Sequence, residues 1–197
     1  MRIELPADFQ ARAEVVAIGA SAGGIDALLS LLTVLRPPMN AAVVVVLHLP
    51  EDHASRLVEV FSARLDVPTS EAQPGAPVRP GTLYFAPPGY HLLVEDDRTF
   101  ALSCDPPVHY SRPSIDVLME SCADVYGERA AGLVLTGANE DGANGLAAIK
   151  AAGGLCAAQD PAEAAHSTMP LAAIAAAHPH YVLPLAGLAR LLQTVIR

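Results

Sequence analysis

Six uninterrupted apolar residues, Ala42-Val43-Val44-Val45-Val46-Leu47, stand in the first quarter of the 197-residue chain. A short, β-branched run without polar alternation fits a strand buried on both faces, as in a parallel sheet covered by helices. Similar runs occur at Val15 to Ile18 and Ala131 to Thr136. Segments with apolar residues at helical spacing lie around them: Ile25 to Leu35, Ser55 to Leu65, Ser114 to Tyr126, a small-residue stretch ending at Ala152, Pro170 to Ala177, and Ala186 to Ile196. The alternation predicts an α/β fold, a doubly wound and mostly parallel sheet with helices on both faces. Thr82 to Ser103 lacks a helical period, and its pieces 82–86, 91–95 and 99–103 are expected to form an antiparallel hairpin insert. With 52% apolar residues the chain is long enough for one well-cored domain, taken as 14–197 behind a short extension, 1–13.

In a doubly wound sheet the carboxyl ends of neighbouring strands face one crevice, so the residues that follow each strand are the candidates for chemistry. After the first strand comes Gly19-Ala20-Ser21-Ala22-Gly23-Gly24. Ser21 then lies on a turn into a helix N-terminus, where unpaired N–H groups and the helix dipole favour negative charge. The motif alone suits an acyl-transfer nucleophile or a phosphate cradle equally. After the second strand comes His48, where a dinucleotide site would need an acidic residue for the ribose, and a histidine beside Ser21 supplies a base. After the third comes Gly137-Ala138-Asn139-Glu140-Asp141-Gly142. Asp141 is the candidate to orient His48, with Glu140 as its competitor and capping of the next helix as its plain structural role.

These motifs fall together with Tyr84-Phe85-Ala86-Pro87-Pro88-Gly89, Ser111-Arg112-Pro113-Ser114-Ile115-Asp116-Val117-Leu118, Val134-Leu135-Thr136-Gly137, Ala158-Gln159-Asp160 and Met169-Pro170. In that order, from about Glu14 to the C-terminus, the chain resembles the catalytic domain of the chemotaxis protein-glutamate methylesterases (CheB type). The resemblance implies hydrolysis of glutamyl methyl esters on methyl-accepting chemoreceptors, with possible deamidation of receptor glutamines, by Ser21, His48 and Asp141. It implies oxyanion donors at the Ala22 and Ala138 amides, a groove position for Met169, and functional pairing with a protein-glutamate methyltransferase. Two departures stand out. Ala138-Asn139 replaces the Met-Gly usual in the family. About a dozen residues precede the first strand, too few for the family's receiver domain, so control by aspartyl phosphorylation within this chain is not expected.

Composition bounds the alternatives. A net charge of −9 and an acidic pI near 5.1 disfavour nucleic acid or an anionic lipid surface as partner. Arg112 is then a candidate substrate-binding cation, weighed evenly against a structural arginine beside the Pro113-Ser114 helix start. Cys104, Cys122 and Cys156 lack Cys-x-x-Cys spacing, and an odd number suits a reducing compartment. The histidines show no helical metal-binding spacing, so no metal and no cofactor is assigned. No signal peptide and no apolar run of about 18 residues is legible, which predicts a cytoplasmic protein without membrane insertion. The alternative function is a non-catalytic docking or regulatory module of a signalling complex that retains the esterase fold.

Overall fold

A computed structural model describes residues 13–49 and 56–197. Pro50, His53, Ser55 at the head of the expected second helix, and nearly all of the N-terminal extension lie outside the described residues. The main sheet has seven strands: β1 (Val15–Ala20), β2 (Ala42–Leu47), β3 (Thr69–Glu71), β4 (Leu83–Phe85), β7 (Ala130–Val134), β8 (Leu155–Gln159) and β9 (Tyr181–Leu183). Their spatial order is β3-β4-β2-β1-β7-β8-β9, with every neighbouring pair parallel. A separate two-stranded antiparallel unit pairs β5 (His91–Val94) with β6 (Phe100–Ser103).

Helices α1 (Gly24–Leu31), α2 (Leu57–Ser62) and α6 (Leu185–Val195) cover one face, and α3 (Ile115–Tyr126), α4 (Ala143–Ala151) and α5 (Thr168–Ala177) cover the other with the antiparallel unit. The strands alternate between the layers. Val16, Ile18, Val43 and Val45 meet Leu28, Leu31, Leu188 and Leu191, whereas Val15, Ala17, Val44 and Val46 meet Leu118, Met119 and Cys122. Both faces are therefore dry, which is why the strand sequences carry no polar alternation. Each fully buried Leu or Ile contributes about 1.5–3 kcal/mol of transfer free energy.

One expectation is corrected in part. Only 91–94 and 100–103 form the antiparallel hairpin; Leu83–Phe85 joins the main sheet parallel to β2 through Val43↔Leu83 and Val45↔Phe85. Its Leu-Tyr-Phe run is buried throughout, and a place inside the sheet covers both sides of it where a hairpin would wet one. The edge strands β3 and β9 were not legible, because Thr69-Ser70-Glu71 and Tyr181-Val182-Leu183 are short and half-exposed.

Gly19 lies within β1, not in the turn after it. A Cβ there would stand 2.3 Å from Ile115 Cγ2, so the glycine allows the first residue of α3 to pack directly on the strand. That close approach brings the N-terminus of α3 over the sheet where the strand order reverses, between β1 and β7.

Candidate active site

The register of the sheet brings Ser21 and His48 together. Ala20 is opposite Leu47 in the β1/β2 ladder, and the His48 N–H donates to the Ala20 carbonyl at 3.1 Å. The next residue on each strand is therefore Ser21 and His48, on chains about 4.8 Å apart. On the other side Ser21 N–H donates to the Thr136 carbonyl at 2.9 Å, so the turn after β1 is tied to the end of β7 as well. The chain then reverses through Gly23, whose φ of 77° is left-handed, and enters α1.

Asp141 follows β7 and is fully buried. Its Oδ2 accepts from His48 Nε2 at 2.8 Å and from Ile115 N–H at 2.7 Å. Its Oδ1 accepts from Ser114 Oγ at 2.8 Å and from Asp116 N–H at 3.0 Å. Burial by itself would raise this carboxyl, but the His48 hydrogen bond, the Asp116 and Ile115 N–H groups and the Ser114 hydroxyl favour the anion more strongly and hold it below the ordinary range. The anion also sits at the positive end of α3. Asp141 thus caps a helix, but α3 from across the cleft; α4 has Gly142 at its N-cap and no side-chain cap. Glu140, its competitor in the sequence, is exposed, makes no hydrogen bond to His48, and lines a separate hollow with His109 and Asn144.

The His48 side chain is 11% exposed and spans two partners. Nε2 faces the Asp141 carboxylate, so Nε2 carries the proton and Nδ1 keeps its lone pair. Nδ1 faces Ser111 Oγ at 3.3 Å. Ser111 Oγ in turn accepts from Asn139 Nδ2 at 3.1 Å and has the His109 carbonyl 3.4 Å away as a second acceptor for its own proton. Ser21 Oγ makes no hydrogen bond among the described residues, but it shares a cleft of about 330 Å³ with His48, Leu49, Ser111, Arg112, Ala138 and Asn139. The serine that engages the imidazole here is therefore Ser111, a residue the sequence offered only inside a longer motif.

Unpaired backbone donors stand on the loops beside this cleft, with Ala138 in its lining. The Ala22 and Ala138 N–H groups have no hydrogen-bond partner among the described residues, on loops that follow β1 and β7. Thr136 ties those loops together: its hydroxyl donates to the Ala22 carbonyl at 2.9 Å and accepts from His166 N–H at 2.9 Å, while Gln159 Oε1 takes the Thr136 N–H at 2.8 Å. Both polar residues are buried, and their fixed bonds hold the loop donors without a covalent brace. Sequence reasoning gave them no role, since a buried Thr at a strand end reads as core.

Met169 is corrected. It was expected in the groove, but it is fully buried and lies under Gly137, where an added Cβ would come 2.5 Å from Met169 Cε. Its N–H donates to the Gly137 carbonyl at 3.0 Å, so it supports the loop from below. Asp160 caps a turn through Ala162 N–H at 2.9 Å and no helix. Asp116 was also missed. It is buried behind the cleft, accepting from Gly145 N–H at 2.7 Å and facing His109 Nε2 at 3.5 Å. Burial raises its carboxyl, and the charge of Asp141 pushes the same way against the Gly145 hydrogen bond.

His91 is structural: Nδ1 accepts from Ser114 N–H at 3.1 Å and Nε2 lies 3.1 Å from the Pro106 carbonyl, so one tautomer satisfies both. Among the described residues no group of three or more His, Cys, Asp or Glu is arranged to hold a metal ion, and no helix is long and apolar enough to cross a membrane.

A family model described as CheB methylesterase matches residues 16–192. A relative from Leptospira interrogans is 41% identical over 178 residues, 90% of this chain and 92% of its own length. Relatives from Anaeromyxobacter dehalogenans (41% over 189 residues, 95% of this chain) and Symbiobacterium thermophilum (37% over 175 residues, 89% of this chain) carry the name protein-glutamate methylesterase/protein-glutamine glutaminase. The matched region is 54% and 48% of those two, so the chain spans about half their length. The solved CheB methylesterase catalytic domain of Thermotoga maritima superposes with a TM-score of 0.89 at 28% identity, covering 94% of this chain and all of that one. Fold, sequence and the arrangement of the strand ends agree, and the chain belongs to the CheB methylesterase family.

Proposed function

We propose that the protein hydrolyses the methyl ester of glutamyl side chains on methyl-accepting chemoreceptors, and deamidates receptor glutamines by the same acyl transfer. The observation that carries this reading is the buried His48–Asp141 pair at 2.8 Å, set beside Ser21 where β1 and β2 end. A carboxylate that fixes one imidazole nitrogen leaves the other to accept a serine proton.

Ser21 Oγ attacks the ester carbonyl carbon, and its proton passes to His48 Nδ1. The carbonyl oxygen takes the negative charge and is received by the free Ala22 and Ala138 N–H groups, donors of a kind whose individual loss costs on the order of 10²–10³-fold in kcat. Collapse of the tetrahedral adduct expels methoxide, which leaves as methanol with the proton from His48. Water then adds to the acyl-Ser21, gives its proton to His48, and releases the glutamate carboxylate and the Ser21 hydroxyl. With a glutamine substrate the first leaving group is ammonia. Asp141 stays ionised throughout and offsets the charge of the imidazolium.

Ser111 shares Nδ1 with this relay. When Ser21 engages His48, the Ser111 proton turns to the His109 carbonyl, its second acceptor, and its lone pair remains for the imidazolium N–H. Asn139, at the position of the family's usual glycine, anchors Ser111 during the exchange. A protein-glutamate methyltransferase acting on the same receptors completes the cycle. The test is methanol release from methylated receptor by the wild-type protein and by Ser21→Ala, with a fluorophosphonate probe as an independent readout. Labelling at Ser21 that disappears in His48→Ala supports the reading; wild-type protein that neither labels nor releases methanol overturns it.

A further inference from the structure

Among the described residues one buried side-chain nitrogen or oxygen lacks a hydrogen-bond partner, and it is Arg112 Nε. Buried polar groups are almost always paired, and leaving a charged group's donor unmet costs more than the net worth of an ordinary hydrogen bond. Arg112 also has no carboxylate within ion-pairing distance among the described residues, although the chain carries a net charge of −9. The guanidinium is nevertheless held in place. Nη1 donates to the Cys104 carbonyl at 3.1 Å and to the Asp105 carbonyl at 3.2 Å, which fixes the plane of the group.

Nε is closed off from solvent as well as unpaired, whereas Nη2 donates to no acceptor among the described residues and is not closed off, so Nη2 is the donor a ligand in the cleft can reach. Arg112 lines the same cleft as Ser21 and His48. We propose that Nη2 binds a carboxylate of the substrate: an unesterified acidic side chain that accompanies the glutamyl ester in the same segment. The inference rests on the esterase reading and adds a substrate class to it, esterified segments with a free acidic neighbour. Neutral protein groups anchor the arginine and the ligand supplies its counter-charge. The remainder of the acidic surface repels such a segment at long range, so recognition depends on this local cation.

The test uses two peptides of one segment, each with a single γ-methyl glutamate, flanked by glutamates in one and by glutamines in the other. Methanol release gives kcat/KM for each, and fluorescence anisotropy on Ser21→Ala protein gives binding without turnover. The expected result is a preference for the glutamate peptide of about 10- to 100-fold in both readouts, the range for a charge-assisted hydrogen bond. That preference shrinks as KCl is raised and falls to about 1 in Arg112→Gln; Arg112→Lys, which keeps charge without the planar guanidinium, lies between. Equal treatment of the two peptides by wild-type protein, or a preference that survives in Arg112→Gln, overturns the inference. The wild-type ratio and its salt dependence need no variant to fold. A binding preference without hydrolysis of either peptide counts against the esterase reading and leaves the Arg112 assignment standing.

Discussion

Replacing Asp141 by Asn changes one atom and a charge, and the four donors around the carboxylate determine the effect. An amide keeps one oxygen and turns the other into an NH2 group. If NH2 replaces Oδ2, it faces His48 Nε2–H and Ile115 N–H; if it replaces Oδ1, it faces the Ser114 hydroxyl and Asp116 N–H. The Ser114 hydroxyl reverses by a simple rotation, whereas His48 must move its proton to the other ring nitrogen, so the second arrangement is favoured and Asp116 N–H is orphaned. An orphaned buried N–H costs about 1–3 kcal/mol, and losing the anion at the N-terminus of α3 adds up to about 2 kcal/mol. The sum is about 3 kcal/mol, which for a chain near 200 residues lowers Tm by about 6–12 °C.

Circular dichroism melts of wild type and Asp141→Asn at pH 7 measure this directly. A pH series gives a second handle. Asp141 is depressed below its ordinary value of 3.8, so its stabilisation is fully present above that value and is lost as pH falls through the folded pKa. The Tm gap between the two proteins therefore closes in strong acid, where the wild-type carboxylate itself takes up a proton. In this arrangement His48 keeps its Nε2 proton on the amide oxygen, and the loss of kcat stays below the roughly 10⁴-fold seen when a triad histidine is forced into the wrong tautomer. A Tm within about 2 °C of wild type at pH 7 would falsify the account of Asp141 as the seat of α3.

Other perturbations probe separate parts of the site. Ser21→Ala is expected to lower kcat by at least about 10⁴-fold while Ser111→Ala lowers it by less than about 10-fold; the reverse order in a steady-state ester assay would make Ser111 the nucleophile. Gly19→Ala inserts a Cβ 2.3 Å from Ile115 Cγ2, and overpacking at that contact is expected to cost about 1–3 kcal/mol and to lower kcat by tilting the Ile115 N–H from Asp141. Wild-type melting and turnover in Gly19→Ala would show that α3 has room to move. Thr136→Val removes the acceptor for His166 N–H and the donor to the Ala22 carbonyl. A stability loss of about 1–3 kcal/mol by urea denaturation is expected, and an unchanged midpoint contradicts the bracing role.

The sequence was sufficient for the layered fold because burial on both faces leaves a direct mark: β1, β2 and β7 are apolar throughout, and the helices between them carry their apolar residues at helical spacing. It also pointed to residues 21, 48 and 141, each of which follows a buried strand. Pairing partners leave no such mark. Leu83–Phe85 has the composition of either sheet, and only its neighbours decide that it lies parallel beside β2. Met169 shows the same limit, since a groove-lining and a loop-supporting methionine have identical sequences around them.

What the chain by itself determined was the class of fold and the three strand ends that carry reactive groups. Those arise from short-range patterning, hydrophobic runs and the polar residues that interrupt them. The tertiary structure alone decided which hydroxyl meets His48, that Asp141 is seated on a helix from across the cleft, and that Arg112 keeps donors unmatched among the described residues. Each of these depends on segments distant in the chain that meet only once it is folded. Their energies depend on small differences in distance, and these are set when β1, β7 and α3 pack around Gly19, not by any residue's nearest neighbours in the chain.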